Sequence, residues 1–320
     1  MTASPEVSVV IPTRNRWHLL AAAALPSALA QVGVPLEVIV VDDGSTDETP
    51  ARLAALLDPR VRHLRHESSR GVAAARNAGI EAARGEWVAL LDDDDLWSPV
   101  KLQTQVAAAR AAGADFVYGS ALVLDEERRP VETSQAPAAA DLRTAMLRRY
   151  AIPAGASNVV AKTELLRRLG GFDERVSYLA DWDMWLRLAT EGIPASCPEV
   201  LVGYIRHPDR MLVSKRQALD ELDYVLRKHE RTGLRIDPVR FLTWVAVQHR
   251  EAGRRLAGAR MFFAIAAAYR RPYHVLRAGA TLLEGLGGER GRLVPRRGGA
   301  PEGLAPPAEP EWLARLRQTA

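Results

Sequence analysis

Trp87 to Trp97, WVALLDDDDLW, decides how the rest of the chain is read. A hydrophobic run of strand length, Trp87 to Leu91, ends in four consecutive carboxylates, Asp92 to Asp95. Two like charges about 4 Å apart repel by roughly 4 kcal/mol at an effective dielectric near 20, so the run asks for a counter-ion or for open water. If the chain stays extended beyond Leu91, side chains alternate with period two. Asp92 and Asp94 then share one face, and Asp93 and Asp95 the other. Such a D-x-D pair at the carboxyl end of a strand suits a hard divalent cation, which takes carboxylate oxygens together with substrate phosphates. A solvated acidic loop is the competing reading of these four residues taken alone.

The flanking sequence supplies context. Glu6 to Ile11 is a β-branched run stopped by Pro12, and reads as a buried strand followed by a loop, Pro12 to Arg16. Trp17 to Gln31 reads as a helix kinked or split at Pro26. Leu36 to Val41 is a second strand ending in Asp42-Asp43-Gly44-Ser45, followed by a helix over Thr46 to Leu57. Val61 to Arg65 is a third strand, and Gly71 to Ala83 an alanine-rich helix leading into the strand that ends in the acidic run. This alternation predicts right-handed βαβ units and a mostly parallel sheet flanked by helices. In such open sheets ligands sit beyond the carboxyl ends of the strands. Thr13, Arg14 and Asn15, then Asp42 and Asp43, then Asp92 to Asp95 are therefore expected to line one crevice.

Further on, Lys101 to Ala112 reads as a helix, Asp115 to Leu124 as a strand and Glu126 to Ala140 as a surface loop. Asp141 to Tyr150 reads as helical, Ser157 to Val160 as a strand and Thr163 to Leu169 as a helix. Asp181 to Glu191, with Trp182, Trp185, Leu186 and Ala189 on one face, reads as a helix, and Glu199 to Ile205 as a strand. From Lys215 the chain turns to successive Ala-, Arg- and Leu-rich helices: Gln217 to Thr232, Val239 to Leu256 and Ala259 to Tyr269. Residues 1–214 thus read as the α/β domain and 215–284 as a helical appendage. The tail 285–320, rich in Gly, Pro and Arg up to Pro310, is expected to be disordered.

Composition narrows the classes. The 320 residues are 48% apolar and 26% charged, ordinary for a soluble globular protein able to bury a core. A formal charge of +4 and a pI near 9.4, with only four lysines, favour anionic ligands or an anionic membrane surface. The basic residues are dispersed rather than set in a strip with aromatics, which argues against nucleic acid. Cys197 is the only cysteine, excluding a disulfide framework and a thiolate zinc site. The start of the chain has no basic segment before its short apolar run, and no stretch reaches the roughly 18–20 apolar residues of a membrane span. The expected location is cytoplasmic, with peripheral association at the inner face of the membrane compatible with the charge.

Individual residues carry competing readings. Asp43 before Gly44-Ser45 suits a turn or helix cap, and equally an acceptor for the N–H of a base such as uracil. Arg76, beside Asn77, is either a solvated surface residue or a planar, bidentate partner for a diphosphate. Asp183 and Arg187 have the i, i+4 spacing of a surface ion pair. Asp181 lacks such a partner; it is a candidate helix N-cap, or a general base at the helix start. His207 in YIRHPD is a polar loop residue or a ligand for metal or phosphate.

The set VSVVIPTRNR, VIVVDDGSTDET, GVAAARNAGIEAARGEWVALLDDDD, GGFDE and ADWDMWLRL, in that order from Val7 to Pro208, resembles the family 2 glycosyltransferases, inverting enzymes with a GT-A fold. The resemblance implies a donor pocket for a nucleotide-diphosphate sugar, uridine foremost with thymidine and guanosine as competitors. It puts Pro12, Thr13, Arg14, Asn15, Asp43, Arg76 and Asn77 around that donor, with Asp92 and Asp93 on ribose and diphosphate. It implies Asp94, with His207 as a further candidate, on Mg²⁺ or Mn²⁺, and Asp181 as the base that activates an acceptor hydroxyl. Ala180 stands where the family often has Glu, while the following aspartate is kept. A sugar nucleotidyltransferase, a non-catalytic nucleotide-sugar-binding module and a membrane or partner adaptor are the alternatives. Sugar, acceptor and oligomeric state are not legible.

Overall fold

The computed structural model describes residues 4–207, 215–251, 253–283 and 307–318. Cα proximity divides the chain into two compact units, one of residues 1–143, 151–212 and 305–320, the other of 144–150 and 213–304.

The first unit is built on one mixed sheet of nine strands: β1 (Val7–Thr13), β2 (Leu36–Asp42), β3 (Val61–Arg65), β4 (Trp87–Leu90), β5 (Leu96–Trp97), β6 (Phe116–Leu124), β7 (Pro130–Ser134), β8 (Val160–Lys162) and β9 (Pro194–Ile205). Their order is β3-β2-β1-β4-β8-β6-β9-β5, with β7 on β6. β1 lies between β2 and β4 and is parallel to both, so the chain leaves it once in each direction. That reversal point is where open α/β sheets leave a crevice at the carboxyl ends. All seven residues of β1 and all four of β4 are buried, as expected of strands covered on both faces. Beyond β4 the sheet is mixed, with β8 antiparallel to β4 and β6, and β9 parallel to β6.

The flanking helices are α1 (Trp17–Leu19), which runs through a π-helical turn, Leu20–Ala24, into α2 (Leu25–Leu29), then α3 (Thr49–Ala54), α4 (Val72–Ala82), α5 (Lys101–Ala111), α6 (Leu142–Met146), α7 (Thr163–Arg168) and α8 (Ala180–Glu191). Pro26, which has no N–H to donate, sits in the first turn of α2 just after the π-helical turn, and the helical residues run on without a split from Trp17 to Leu29. The second unit carries α9 (Lys215–Glu230), α10 (Val239–Glu251), α11 (Arg255–Tyr269) and α12 (Tyr273–Leu283).

Three differences from the sequence reading concern the segments around the acidic turn. The chain does not stay extended beyond Leu91: Asp93 and Asp94 form a turn, with Asp95 N–H donating to Asp92 O at 3.3 Å. The turn is locked because β5 follows at once and pairs antiparallel with β9, Leu96 against Gly203. The strand expected over Ser157 to Val160 starts only at Val160; Gly155–Asn158 is a 3₁₀ turn before β8. The loop from Glu126 holds β7, whose Pro130 is tolerated because it opens the strand.

The tail is also not uniformly disordered, since α13 (Glu311–Gln318) forms within it. Its Leu313 is fully buried with Ala23, Leu96, Leu122, Leu124 and Ile205, and Trp312 Nε1 donates to Val200 O at 3.3 Å. Trp312 and Leu313 supply an apolar anchor that the average composition of the tail conceals. Residues 284–306 lie outside the described residues.

Gly44 is a point of obligatory backbone shape. Its φ is +72°, and a Cβ there would lie 2.7 Å from the backbone of Ser68 and Ser69. Gly44→Ala is expected to cost about 2 kcal/mol through a strained φ and this clash, lowering the thermal midpoint by roughly 4–8 °C. An unchanged melting curve would show that the 66–71 loop is not packed against this turn.

Candidate active site

The carboxyl ends of β1, β2 and β4 open on the same side because the three strands are parallel. Beyond them the acidic turn is compensated by two arginines. Arg16, from the loop after β1, donates Nη1 to Asp93 Oδ1 at 2.8 Å and Nη2 to Asp94 Oδ2 at 2.7 Å. Arg76, buried in α4, donates Nη2 to Asp92 Oδ1 at 2.6 Å and Nη1 to Asp181 Oδ1 at 2.5 Å, with its guanidinium 5.1 Å from the centre of the Phe172 ring. One guanidinium thus joins the strand-end turn to the start of α8, 105 residues away in sequence. Arg76 is therefore not a solvated surface residue, and neither is Asp181 the N-cap of α8, a place taken by Leu179. Asp92, Asp94 and Asp181 keep side-chain exposures of 31%, 18% and 18%, so they face the open side of the cluster.

The other two carboxylates face inward. Asp93 is buried; that burial, with the neighbouring Asp94 charge, pushes its carboxyl up to about 7 against the pull of Arg16 and the Thr13 hydroxyl, which donates to it at 2.8 Å. Asp95 is fully buried and is raised well above the ordinary carboxylate range by that burial. It accepts from the Ser157 hydroxyl at 2.5 Å and from Ile205 N–H at 3.1 Å, tying the turn to the 3₁₀ turn and to β9. Five carboxylates thus share two guanidinium groups. The carboxylates at this strand end therefore outnumber the guanidinium groups that pair with them.

The 3₁₀ turn Gly155–Asn158 organises this side of the site. Ala156 N–H donates to Asp181 Oδ2 at 3.2 Å, Asp92 N–H donates to Ser157 Oγ at 3.1 Å, and Trp97 Nε1 donates to Ser157 O at 2.7 Å. Asn158 continues inward to Gly119 and Gln105. Neither Arg16 nor Ser157 was singled out from sequence. The Ala154-Gly155 pair, both at positive φ, was the available sign that 157–160 does not run as a simple strand.

Several expected donor contacts have structural occupations. Asp43 accepts four hydrogen bonds: His66 Nδ1 (2.7 Å) and Arg70 N–H (2.9 Å) on Oδ1, Ser69 hydroxyl (2.7 Å) and Gly71 N–H (2.9 Å) on Oδ2. These occupy roughly the four acceptor positions of a carboxylate, and through them Asp43 fixes the entry to α4. Asn77 is likewise engaged, accepting from Phe172 N–H and donating to Phe172 O and Glu174, so it holds the loop under Arg76. Asn15, at φ +55°, accepts from Thr46 N–H at 2.7 Å and cross-ties the first two loops. Pro12 is buried in β1, Thr13 serves Asp93, and Arg14 is exposed. Asp183 does pair with Arg187, but its carboxylate is fully buried and the arginine only partly exposed, so this is not a surface pair; Arg187 also donates to Leu169 O and Gly171 O.

His207 lies beside the cluster, with Nε2 3.5 Å from Asp94 Oδ2 and Nδ1 3.4 Å from Glu126. That Nε2 is buried and has no hydrogen-bond partner among the described residues. Among the described residues no group of three or more His, Cys, Asp or Glu side chains is arranged to hold a metal. Asp94 and His207 therefore fit a divalent cation only as two protein donors, the other ligands coming from phosphate oxygens and water, as is usual for Mg²⁺.

The bonds on Asp43 set a pH dependence. Burial acts to raise its carboxyl, but the hydrogen bonds from Arg70, His66, Ser69 and Gly71 outweigh it and hold the group below its ordinary value. The unfolded chain then binds more protons than the native protein near that value, so this stabilisation is present at neutral pH and lost as pH falls below about 4. Asp43→Asn, whose NH₂ would face the Ser69 hydroxyl or the backbone donors, is expected to lose about 2 kcal/mol at pH 7, and the difference from wild type should narrow in acid. A constant difference across pH 3–7 in urea unfolding would contradict this role.

Comparison with known proteins agrees with this architecture. Residues 8–167 match the family model of glycosyl transferase family 2. The succinoglycan biosynthesis protein ExoO of Rhizobium meliloti (strain 1021) is 35% identical over 242 residues, which cover 71% of this chain and 67% of the relative. The Escherichia coli UDP-Glc:alpha-D-GlcNAc-diphosphoundecaprenol beta-1,3-glucosyltransferase WfaP is 26% identical, with 69% of this chain and 85% of the relative covered. Among solved structures, S. aureus TarS 1-349 in complex with UDP-GlcNAc superposes with a TM-score of 0.56 over 88% of this chain and 79% of that one; at 18% identity it speaks for the fold alone. With its GT-A sheet and its acidic strand end, this chain belongs to glycosyl transferase family 2 and is a glycosyltransferase.

Proposed function

We propose that the protein transfers a sugar from a nucleotide-diphosphate sugar, with uridine as the base, to an acceptor hydroxyl by a single inverting displacement. The observation that carries this reading is the Arg76 bridge, which brings the acidic turn and Asp181 to one site. A donor-binding end and a proton acceptor must stand this close for in-line attack.

The parts divide as follows. Asp94 and His207 are the residues that would hold Mg²⁺ or Mn²⁺, which when bound supplies positive charge to the leaving diphosphate. Arg16 spans Asp93 and Asp94 and positions the turn. Arg76 and Ala156 N–H orient Asp181, whose partly exposed carboxylate takes the proton of the attacking hydroxyl. Arg14, exposed beside the first loop, is placed to meet an anionic donor. Uridine is supported by the relatives whose names specify UDP-Glc.

The acceptor class follows from the relatives in the same way. Two of them are named for transfer to a GlcNAc-diphosphoundecaprenol, and others for succinoglycan and colanic acid synthesis. A growing cell-surface polysaccharide or glycolipid, carried on a lipid diphosphate, is the acceptor we infer for this chain.

Asp181→Asn separates binding from chemistry. Loss of the base is expected to lower transfer by about 10²–10⁴-fold, while UDP binding measured by calorimetry stays within roughly twofold of wild type. Retained turnover would remove Asp181 as the base, and a stronger response to dTDP or GDP than to UDP would change the donor.

A further inference from the structure

From Gly253 to Leu283 the chain contains six arginines, at 254, 255, 260, 270, 271 and 277, and no aspartate or glutamate. The stretch comprises α11 and α12, which pack against one another within the second unit. Their buried residues are mostly apolar: Gly258, Ala259, Met261, Phe262 and Ile265 on α11, and Ala278 with the polar His274 and Thr281 on α12. The outward faces are apolar too. Leu256 (56% exposed) and Phe263 (44%) stand two helical turns apart on α11, with Arg260 exposed between them. Tyr273 (60%), Leu276 (71%) and Leu283 (53%) form the corresponding stripe on α12.

Single exposed apolar residues are normal on any protein. A run of them on one helix pair is not, and such patches mark contact surfaces. The described residues of the first unit expose large apolar side chains only at scattered positions, Val32, Leu57, Val100 and Ile193. Charge selects the occupant. Arg271 is paired with Asp237, and Arg277 lies over the Phe262 and Tyr273 rings. The face still joins leucines and aromatics to the exposed Arg254, Arg255, Arg260 and Arg270, which complements an anionic bilayer where apolar side chains enter the acyl boundary and arginines reach the headgroups. Spanning is excluded by length, since helices of 15 and 11 residues rise about 22 and 16 Å against a hydrocarbon core of about 30 Å. No helix among the described residues is long and apolar enough to cross a membrane.

We propose that the outward face of α11 and α12 is a docking surface for an anionic lipid bilayer, on which these helices lie in the plane of the headgroups. The inference stands on this helix pair and does not require the donor chemistry. It does place the enzyme at the surface where a lipid-carried acceptor would be presented.

Flotation of the full chain with phosphatidylcholine vesicles, and with vesicles of equal parts phosphatidylcholine and phosphatidylglycerol, tests it. Binding is expected only to the anionic vesicles and should weaken with added salt. The exposed pair Arg255→Glu/Arg260→Glu should weaken it by at least roughly tenfold, and Leu276→Ser should weaken it while leaving UDP binding unchanged. Absence of flotation, or flotation that neither variant alters, would overturn the proposal. So would concentration-dependent self-association abolished by Leu276→Ser, because a second copy of the chain would then cover this face.

Discussion

Five carboxylates gathered at the end of one buried strand are the constraint on which the first unit depends. Left alone they would drive β4 and its turn apart, because like charges at contact distances repel by several kcal/mol even at moderate dielectric. The chain answers in two ways. Asp93 and Asp95 are buried deeply enough that their carboxyls move toward the protonated form, and Asp92, Asp94 and Asp181 share Arg16 and Arg76. The carboxylates still outnumber the guanidinium groups that pair with them.

Much of the surrounding structure keeps these few groups in place. Asp43 fixes the loop that enters α4, and α4 delivers Arg76; Asn77, one residue on, grips the loop whose Phe172 ring lies over the Arg76 guanidinium. On the other side Asp95 joins the turn to β9 and, through Ser157, to the 3₁₀ turn that also supports Asp181. Each link is a hydrogen bond between buried or half-buried polar groups, so losing one partner leaves the other unsatisfied. The geometry is therefore stiff before any donor arrives.

The central strands were legible because β1, β2 and β4 are covered on both faces and read as unbroken apolar runs. The alternation of strand and helix likewise gave the crevice, and the acidic run marked its floor. What could not be read was the local path of the chain. A turn at Asp93-Asp94 and an extended D-x-D are equally compatible with four aspartates, and only the pairing of β5 with β9, more than 100 residues on, decides between them. Arg16 stood in the same short loop as Arg14, and nothing local distinguishes the arginine that spans two aspartates from the exposed one. The loop role of Asp43 was hidden for a related reason: a carboxylate at a strand end suits a ligand or a loop equally, and its four partners lie 23 to 28 residues away. In the tail, the composition of the whole segment masked the one tryptophan and one leucine that pack.

The most direct test of the site is the position of Mn²⁺, read from its anomalous scattering in crystals grown with UDP. A peak beside Asp94 and His207, with the Arg16 guanidinium drawn away from Asp94, is the expected result. A peak at any other position, or bound UDP with no metal peak, would contradict the assignment of Asp94 and His207 to a cation.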